Sequence, residues 1–185
     1  MTKTTLQLES VQKVIGLEEI DSTQTLARAL ARQEMHGTLI LSCFQTNAFD
    51  RNGKNFPATE GGIYFTLILK PSKELDLNAL TRAAMHSVAD TLKNVFELKT
   101  KITPDGDVLV WDTKTRKYKK IAGVLVEENE SDTYLLGVGI FLNNPLPAAY
   151  RETYTSLKTL IHAETSKELF LDDVLNNFWK EYAFL

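Results

Sequence analysis

Apolar residues along this chain switch between the period of a strand and the period of a helix, and the switches divide it into elements. VIGLEEI, Val14 to Ile20, is a short apolar run that stops at Asp21, Ser22 and Thr23, whose side-chain oxygens suit a helix cap. TLARALARQEMH, Thr25 to His36, carries the helix, and His36 and Gly37 are expected to end it. Thr38 to Thr46 is rich in β-branched and apolar residues, as a buried strand should be. GIYFTLILKP alternates poorly and ends in proline, which predicts a central strand buried on both faces.

Further on, Leu77, Leu80, Ala84, Val88, Leu92 and Val95 trace one face of a long helix, capped by Asp76 and reaching about Leu98. DVLVWD, a turn at TKTR, and KYKKIAGVLVE form a hairpin, and a second turn at NESD leads into TYLLGVGIFLNN. Three strands meander there. From about Thr165, Leu169, Leu171, Val174, Leu175, Phe178 and Trp179 recur at helical spacing behind a Ser166 or Thr165 cap. No repeat, low-complexity tract or linker divides the sequence, so residues 1–185 read as a single α+β domain.

Composition adds boundaries to this picture. At 185 residues and 43% hydrophobic, the chain is long and apolar enough for one sizeable core. A formal net charge of -3 gives no overall attraction to nucleic acid or anionic lipid, so any positive site must be local. The opening MTKTTLQLESVQK lacks the apolar stretch of a signal peptide, no run is long enough to cross a bilayer, and a lone cysteine suits a reducing compartment. The expectation is a cytoplasmic protein with neither a nucleic-acid nor a membrane partner.

Several polar residues sit where they could act on a ligand. Ser22 and Thr23 bring hydroxyls to a strand-to-helix junction, and Gln45 brings an amide to the end of the next strand. They could clasp a neutral polar ring, or simply cap a helix and face water. Lys120 stands in an apolar run beside Ala122 and Gly123, as an anion contact at a groove mouth or as an edge-strand lysine that discourages aggregation. Gly137 and Gly139 imply close packing against that backbone. Asp105 and Asp107, in TPDGD, could hold magnesium with a nucleotide's phosphates or only form a turn. His36, His86 and His162 show no metal-ligand spacing, and Cys43, within an apolar strand, reads as a small buried hydrophobe.

NAFDRNGKNFPATEGG, Asn47 to Gly62, is far longer than an ordinary hairpin connection. It offers Arg51, Gly53 and Lys54 among asparagines but contains neither recognised glycine-rich phosphate motif.

The order of these pieces resembles, from about Val14 to Tyr182, the catalytic domain of biotin protein ligases, with EIDST and KKIAGVLVE the most specific matches. The resemblance implies an α+β fold with a mixed, mainly antiparallel sheet flanked by helices. It also implies a reaction in which biotin and ATP give biotinyl-adenylate and the biotinyl group then passes to a lysine of biotin carboxyl carrier protein. Ser22, Thr23, Gln45 and Gly123 match the biotin-binding positions, and Lys120 and Arg51 the catalytic ones. Arg51, Gly53, Lys54, Lys101, Asp107 and Lys120 match the nucleotide site, with magnesium as cofactor and Asp107 its candidate ligand.

The chain departs from the family in its loop. Where the family has Gly-Arg-Gly-Arg-Arg-Gly-Arg, this sequence has Ala48 to Lys54, the tryptophan that follows is Phe56, and Lys-Trp-Pro-Asn-Asp is replaced by KITPDGD. A loop with fewer cations should hold an adenylate less tightly. It is expected to be mobile when free and to close over the adenylate, with Phe49 and Phe56 as apolar latches. The family's N-terminal DNA-binding domain and C-terminal β-barrel are not expected, and the resemblance leaves a homodimer open. Two other functions fit the same fold: a lipoate ligase or octanoyl transferase, and a non-catalytic ligand-binding or carrier-binding relative.

Overall fold

The computed structural model describes residues 8, 10–129 and 132–185. Among them the element order is β1 (Lys13–Ile20), α1 (Thr23–Leu30), β2 (Thr38–Gln45), β3 (Ile63–Leu69), α2 (Leu77–Phe96), β4 (Thr100–Ile102), β5 (Asp107–Asp112), β6 (Lys117–Asn129), β7 (Thr133–Ile140), a single 3-10 turn (Ala148–Tyr150), α3 (Leu157–Ile161) and α4 (Lys167–Tyr182). The strands form one mixed sheet in the order β1-β2-β3-β7-β6-β5-β4, in which β1 and β2 run parallel and the other pairs antiparallel. The turn read at NESD includes Glu130 and Ser131, which lie outside the described residues.

The two faces of the sheet have different covers. Phe65, Leu67, Val108, Val110, Val124, Leu136 and Val138 belong to the main core with α2 and α4. Leu80, Val88 and Leu92 of α2 and Phe170, Val174 and Phe178 of α4 complete it. On the other face, Ala27 and Ala31 at the end of α1 seal a smaller core with Ile40, Ile68 and Leu135. β3 is buried along its whole length between these layers, as its uninterrupted apolar run predicts. Asp76 and Ser166 cap α2 and α4 through bonds to the amides of Asn78 and Leu169.

Three expectations need correction. Helix α1 ends at Leu30 rather than His36, because tertiary bonds compete for the next turn. Gly37, at a left-handed φ of 75°, donates to Ile68 O at 2.8 Å, and His36 Nδ1 accepts from the Lys70 amide at 2.9 Å. Cys43 is exposed rather than buried. It lies beside a cleft of about 210 Å³ between β1, β2 and the start of α4, where the helical cover of the sheet gives out. Lys120 is no edge-strand lysine, since β6 lies between β5 and β7.

His36 also packs at a tilt against Trp179 and Tyr182 of α4, with ring centroids 5.6 and 5.9 Å away. Burial holds its pKa below the ordinary value, and the bond from Lys70 forms only when Nδ1 is unprotonated. The unfolded chain therefore binds this proton more readily. His36 contributes its stability fully above its unfolded pKa of about 6.5 and loses it as pH falls through that value toward the folded one. Between about pH 7.5 and 5.5, thermal melts should show a larger drop for the parent than for His36→Asn, whose amide oxygen accepts without titrating. Equal drops would remove His36 from the pH response.

Candidate functional site

The site forms where the apolar alternation of the sheet gives way to glycine. Gly123 of β6 pairs with Gly139 of β7, and one step along Gly137 pairs with Leu125 and with Thr66 of β3. Paired residues share a face, so these glycines leave a backbone-floored trough beneath α1 and the 47–62 loop. The cavity there is small, about 50 Å³. Its lining brings together Ser22, Thr23, Gln45, Arg51, Asp107, Lys120 and Gly123. Gly53, Lys54 and Lys101 do not line it. Gly53 has open space around its Cα, Lys54 is exposed on the loop turn, and Lys101 is exposed on β4.

At the α1 end the polar groups are already ordered. Ser22 Oγ accepts from the Thr25 amide at 3.3 Å as the helix cap. Gln45 Oε1 accepts from the Thr23 amide at 2.6 Å and from its hydroxyl at 3.1 Å, which turns the Gln45 NH2 away from Thr23. Ser22 thus caps the helix and lines the cavity at the same time.

Lys120 reaches the cavity through a break in alternation. Val108 pairs with Ala122 but Leu109 pairs with Lys120, so β6 carries an extra residue at Ile121. Strict alternation would place Lys120, three residues from Gly123, on the opposite face. The bulge restores it to the site while Ile121 joins the main core. β7 ends here, and the segment around Tyr154 takes over: Lys120 N donates to Thr153 O at 2.8 Å and Thr155 N to Lys120 O at 2.9 Å.

The Lys120 ammonium is paired with Asp107 Oδ1 at 2.6 Å and lies 5.5 and 5.7 Å from the ring centres of Phe56 and Tyr154. Arg51 donates to Pro104 O at 2.7 Å, tying the loop to the TPDGD turn. Around the mouth stand the carboxylates of Asp50, Asp105 and Asp107 and the cations of Arg51 and Lys120. The local field follows from this. Burial raises the Tyr154 pKa, and Asp107 and Asp50 push it further up. Asp105 and Asp107, the carboxylates expected to meet a magnesium ion together with a nucleotide's phosphates, both line the cavity, and the Asp107 carboxylate is engaged by Lys120.

The long loop is a small hairpin in its own right. Phe49 bridges Asn55, and Asp50 Oδ1 accepts from the amides of Asn52 and Lys54 at 2.9 and 3.0 Å. Phe56 turns inward, stacks on Phe141 with centroids 5.0 Å apart, and covers both Gly123 and Gly139. It packs with Ala48, Ala58, Tyr64 and Leu146 in a separate apolar cluster. Of the two phenylalanines expected as latches, Phe56 occupies the trough itself and Phe49 lines the cavity beside it. Gln24 and Thr66 also line the cavity, although nothing in the sequence pattern sets them apart.

No protein-family profile matches this sequence. Solved structures do. The chain superposes on a biotin protein ligase from Aquifex aeolicus in complex with biotin and ATP with a TM-score of 0.83 and 26% identity, covering 93% of this chain and 71% of that one. The Helicobacter pylori biotin acetyl coenzyme A carboxylase synthetase with bound biotinylated ATP matches at 0.69 and 19% identity, over 91% of this chain and 74% of that chain. A bipartite lipoate protein ligase from Thermoplasma acidophilum matches at 0.64 and 14%, over 94% and 84%. The chain has the α+β catalytic-domain fold of the biotin/lipoate protein ligases, as its sequence resemblance implies.

A Cβ on Gly139 would lie 2.6 Å from Phe56 Cε1. Gly139→Ala should therefore unseat the ring and free residues 47–60. Their amide exchange should quicken at least about tenfold while β3 and β7 stay protected. Unchanged exchange in the loop would mean that Phe56 does not hold it.

Proposed function

We propose that this protein is an acyl-activating ligase that joins biotin to ATP and transfers the biotinyl group to a lysine of a biotin carboxyl carrier protein. The observation that carries this reading is the convergence of Ser22, Thr23, Gln45, Gly123 and Lys120 on one trough, in a fold shared with a ligase bound to biotin and ATP.

The chemistry suits the residues. The Gln45 NH2 and the Ser22 hydroxyl offer donors to a ring carbonyl, and the trough leads from them to Lys120. In the first step a carboxylate oxygen attacks the α-phosphorus of ATP, the bond to the departing pyrophosphate breaks, and a mixed anhydride forms. Two anions meet, so fixed positive charge must stand where negative charge gathers. Lys120 supplies it once the incoming carboxylate competes with Asp107, and Arg51 supplies more if it leaves Pro104. In the second step the carrier amine attacks the acyl carbon, AMP leaves, and the amide nitrogen loses a proton. Closure of the Phe56 loop would shield the anhydride from water. A cytoplasmic setting fits the lone unpaired Cys43, and no helix among the described residues is long and apolar enough to cross a membrane.

One observation favours a second reading, a non-catalytic relative that binds a ligand or carrier. Three carboxylates face two cations at the mouth, and both cations are engaged. Biotin-dependent exchange of labelled pyrophosphate into ATP separates the two. Exchange by the parent supports the ligase, and biotin binding without exchange supports the relative.

For the ligase, Lys120→Ala should lower exchange at least about 100-fold with an unchanged circular dichroism spectrum. Full activity in that variant would dismiss Lys120 from the reaction. Gln45→Ala should weaken biotin binding by about 1–3 kcal/mol in calorimetry, since a buried bond loses one partner. Undiminished binding would refute the ring clasp.

A further inference from the structure

The trough is closed at two ends by two different devices. Phe56 covers Gly139 and Gly123 at the Lys120 end, and it belongs to a loop. At the other end Gln24, from the rigid first turn of α1, lies over Gly137, where a Cβ would come within 2.6 Å of Gln24 Oε1. A loop residue can withdraw for a ligand. Gln24 is held by every polar atom it has.

Its Nε2 donates to Glu127 Oε2 at 2.7 Å and to Leu135 O at 3.2 Å, and its Oε1 accepts from the Thr66 hydroxyl at 3.0 Å. Arg28, one turn along α1, donates to the same Glu127 oxygen at 2.7 Å and anchors it from outside. The residue is 5% exposed, so its amide fills interior space rather than facing water. Beyond it stand the Glu127 carboxylate and the backbone of Leu135, and behind them Ala27, Ala31, Ile40, Ile68 and Leu135 form the buried small core under α1.

We propose that Gln24 is a specificity-determining residue: it plugs the distal end of the trough and fixes how far an acyl carboxylate can extend from Lys120. This rests on the reading of the trough as an acyl site. With Gln24 in place the substrate must be compact, because a longer chain cannot pass the volume that the buried side chain fills over Gly137. A smaller residue at position 24 leaves the volume of the lost side chain over Gly137, at the end of the trough, and admits extra methylenes there.

The test is the chain-length profile of binding, measured by calorimetry with hexanoate, octanoate, decanoate, dodecanoate and biotin on the intact chain. The parent should show a sharp cut-off, each methylene past it costing about tenfold or more. Gln24→Ala should move the cut-off to longer acids by at least two carbons, and the milder Gln24→Asn should give an intermediate shift. Gln24→Met keeps the volume and loses the hydrogen bonds, so its profile should match the parent. Melting curves identify folded variants, and Gln24→Asn carries the comparison if Gln24→Ala does not fold. An unmoved cut-off in the folded smaller variants, or a shift in Gln24→Met equal to theirs, overturns the plug while leaving the acyl-site reading intact. A parent that binds neither biotin nor any acid of the series overturns both.

Discussion

One residue too many in β6 decides whether this fold has a site at all. The bulge at Ile121 places Lys120 on the α1 side of the sheet, where Asp107 of the neighbouring strand meets it at 2.6 Å. Without the slip the lysine would enter the main core, where an unpaired charge is prohibitive. The pairing also explains why two adjacent lysines are both buried. β5 begins and ends with an aspartate; Asp107 takes Lys120 on one face, and Asp112 takes Lys119 at 3.1 Å toward the other. Burial pushes the Asp112 carboxyl up, but bonds from Thr115, Lys119 and Lys114 outweigh it and leave the group below its ordinary range.

This arrangement separates durability from function across the sheet. The face under α2 and α4 is packed with large apolar side chains. The other face has a short helix, a hairpin loop and paired glycines, so it retains space at some cost in packing. β3 joins the two, because Thr66 holds Thr23 and Gln24 while its neighbours Phe65 and Leu67 lie in the main core.

The sequence displayed strong periodicity and little else. Strands β1, β2, β3, β5, β6 and β7 and helices α1, α2 and α4 were legible because their patterns run for several residues; β4, of three residues, and α3, of five, are too short to carry a period. The end of α1 was overrun because the competing partners, Ile68 and Lys70, lie more than thirty residues away. Cys43 was misplaced because a strand pattern does not reveal where the covering helix begins. Among the site residues, the family resemblance identified those that converge, but no local cue marked Gly53, Lys54 and Lys101 as lying outside the trough. Gln24 was overlooked because a glutamine in a first helical turn ordinarily faces solvent; the Asp…Asp and Lys-Lys pattern of β5 and β6 was a readable signal for the buried ion pairs.

The stack of Phe56 on Phe141 makes the resting protein its own competitor. A ligand that needs the floor of the trough meets only the fraction of molecules in which the ring has swung away, so its measured dissociation constant equals the intrinsic one divided by that fraction. Kinetics carry the same imprint. If ring release precedes capture, the observed association rate levels off at high ligand concentration at the opening rate of the loop, whatever the ligand. Residues such as Leu146 and Tyr154, which pack in the cluster around this ring, would then tune affinity for such a ligand by altering how long the door stays shut.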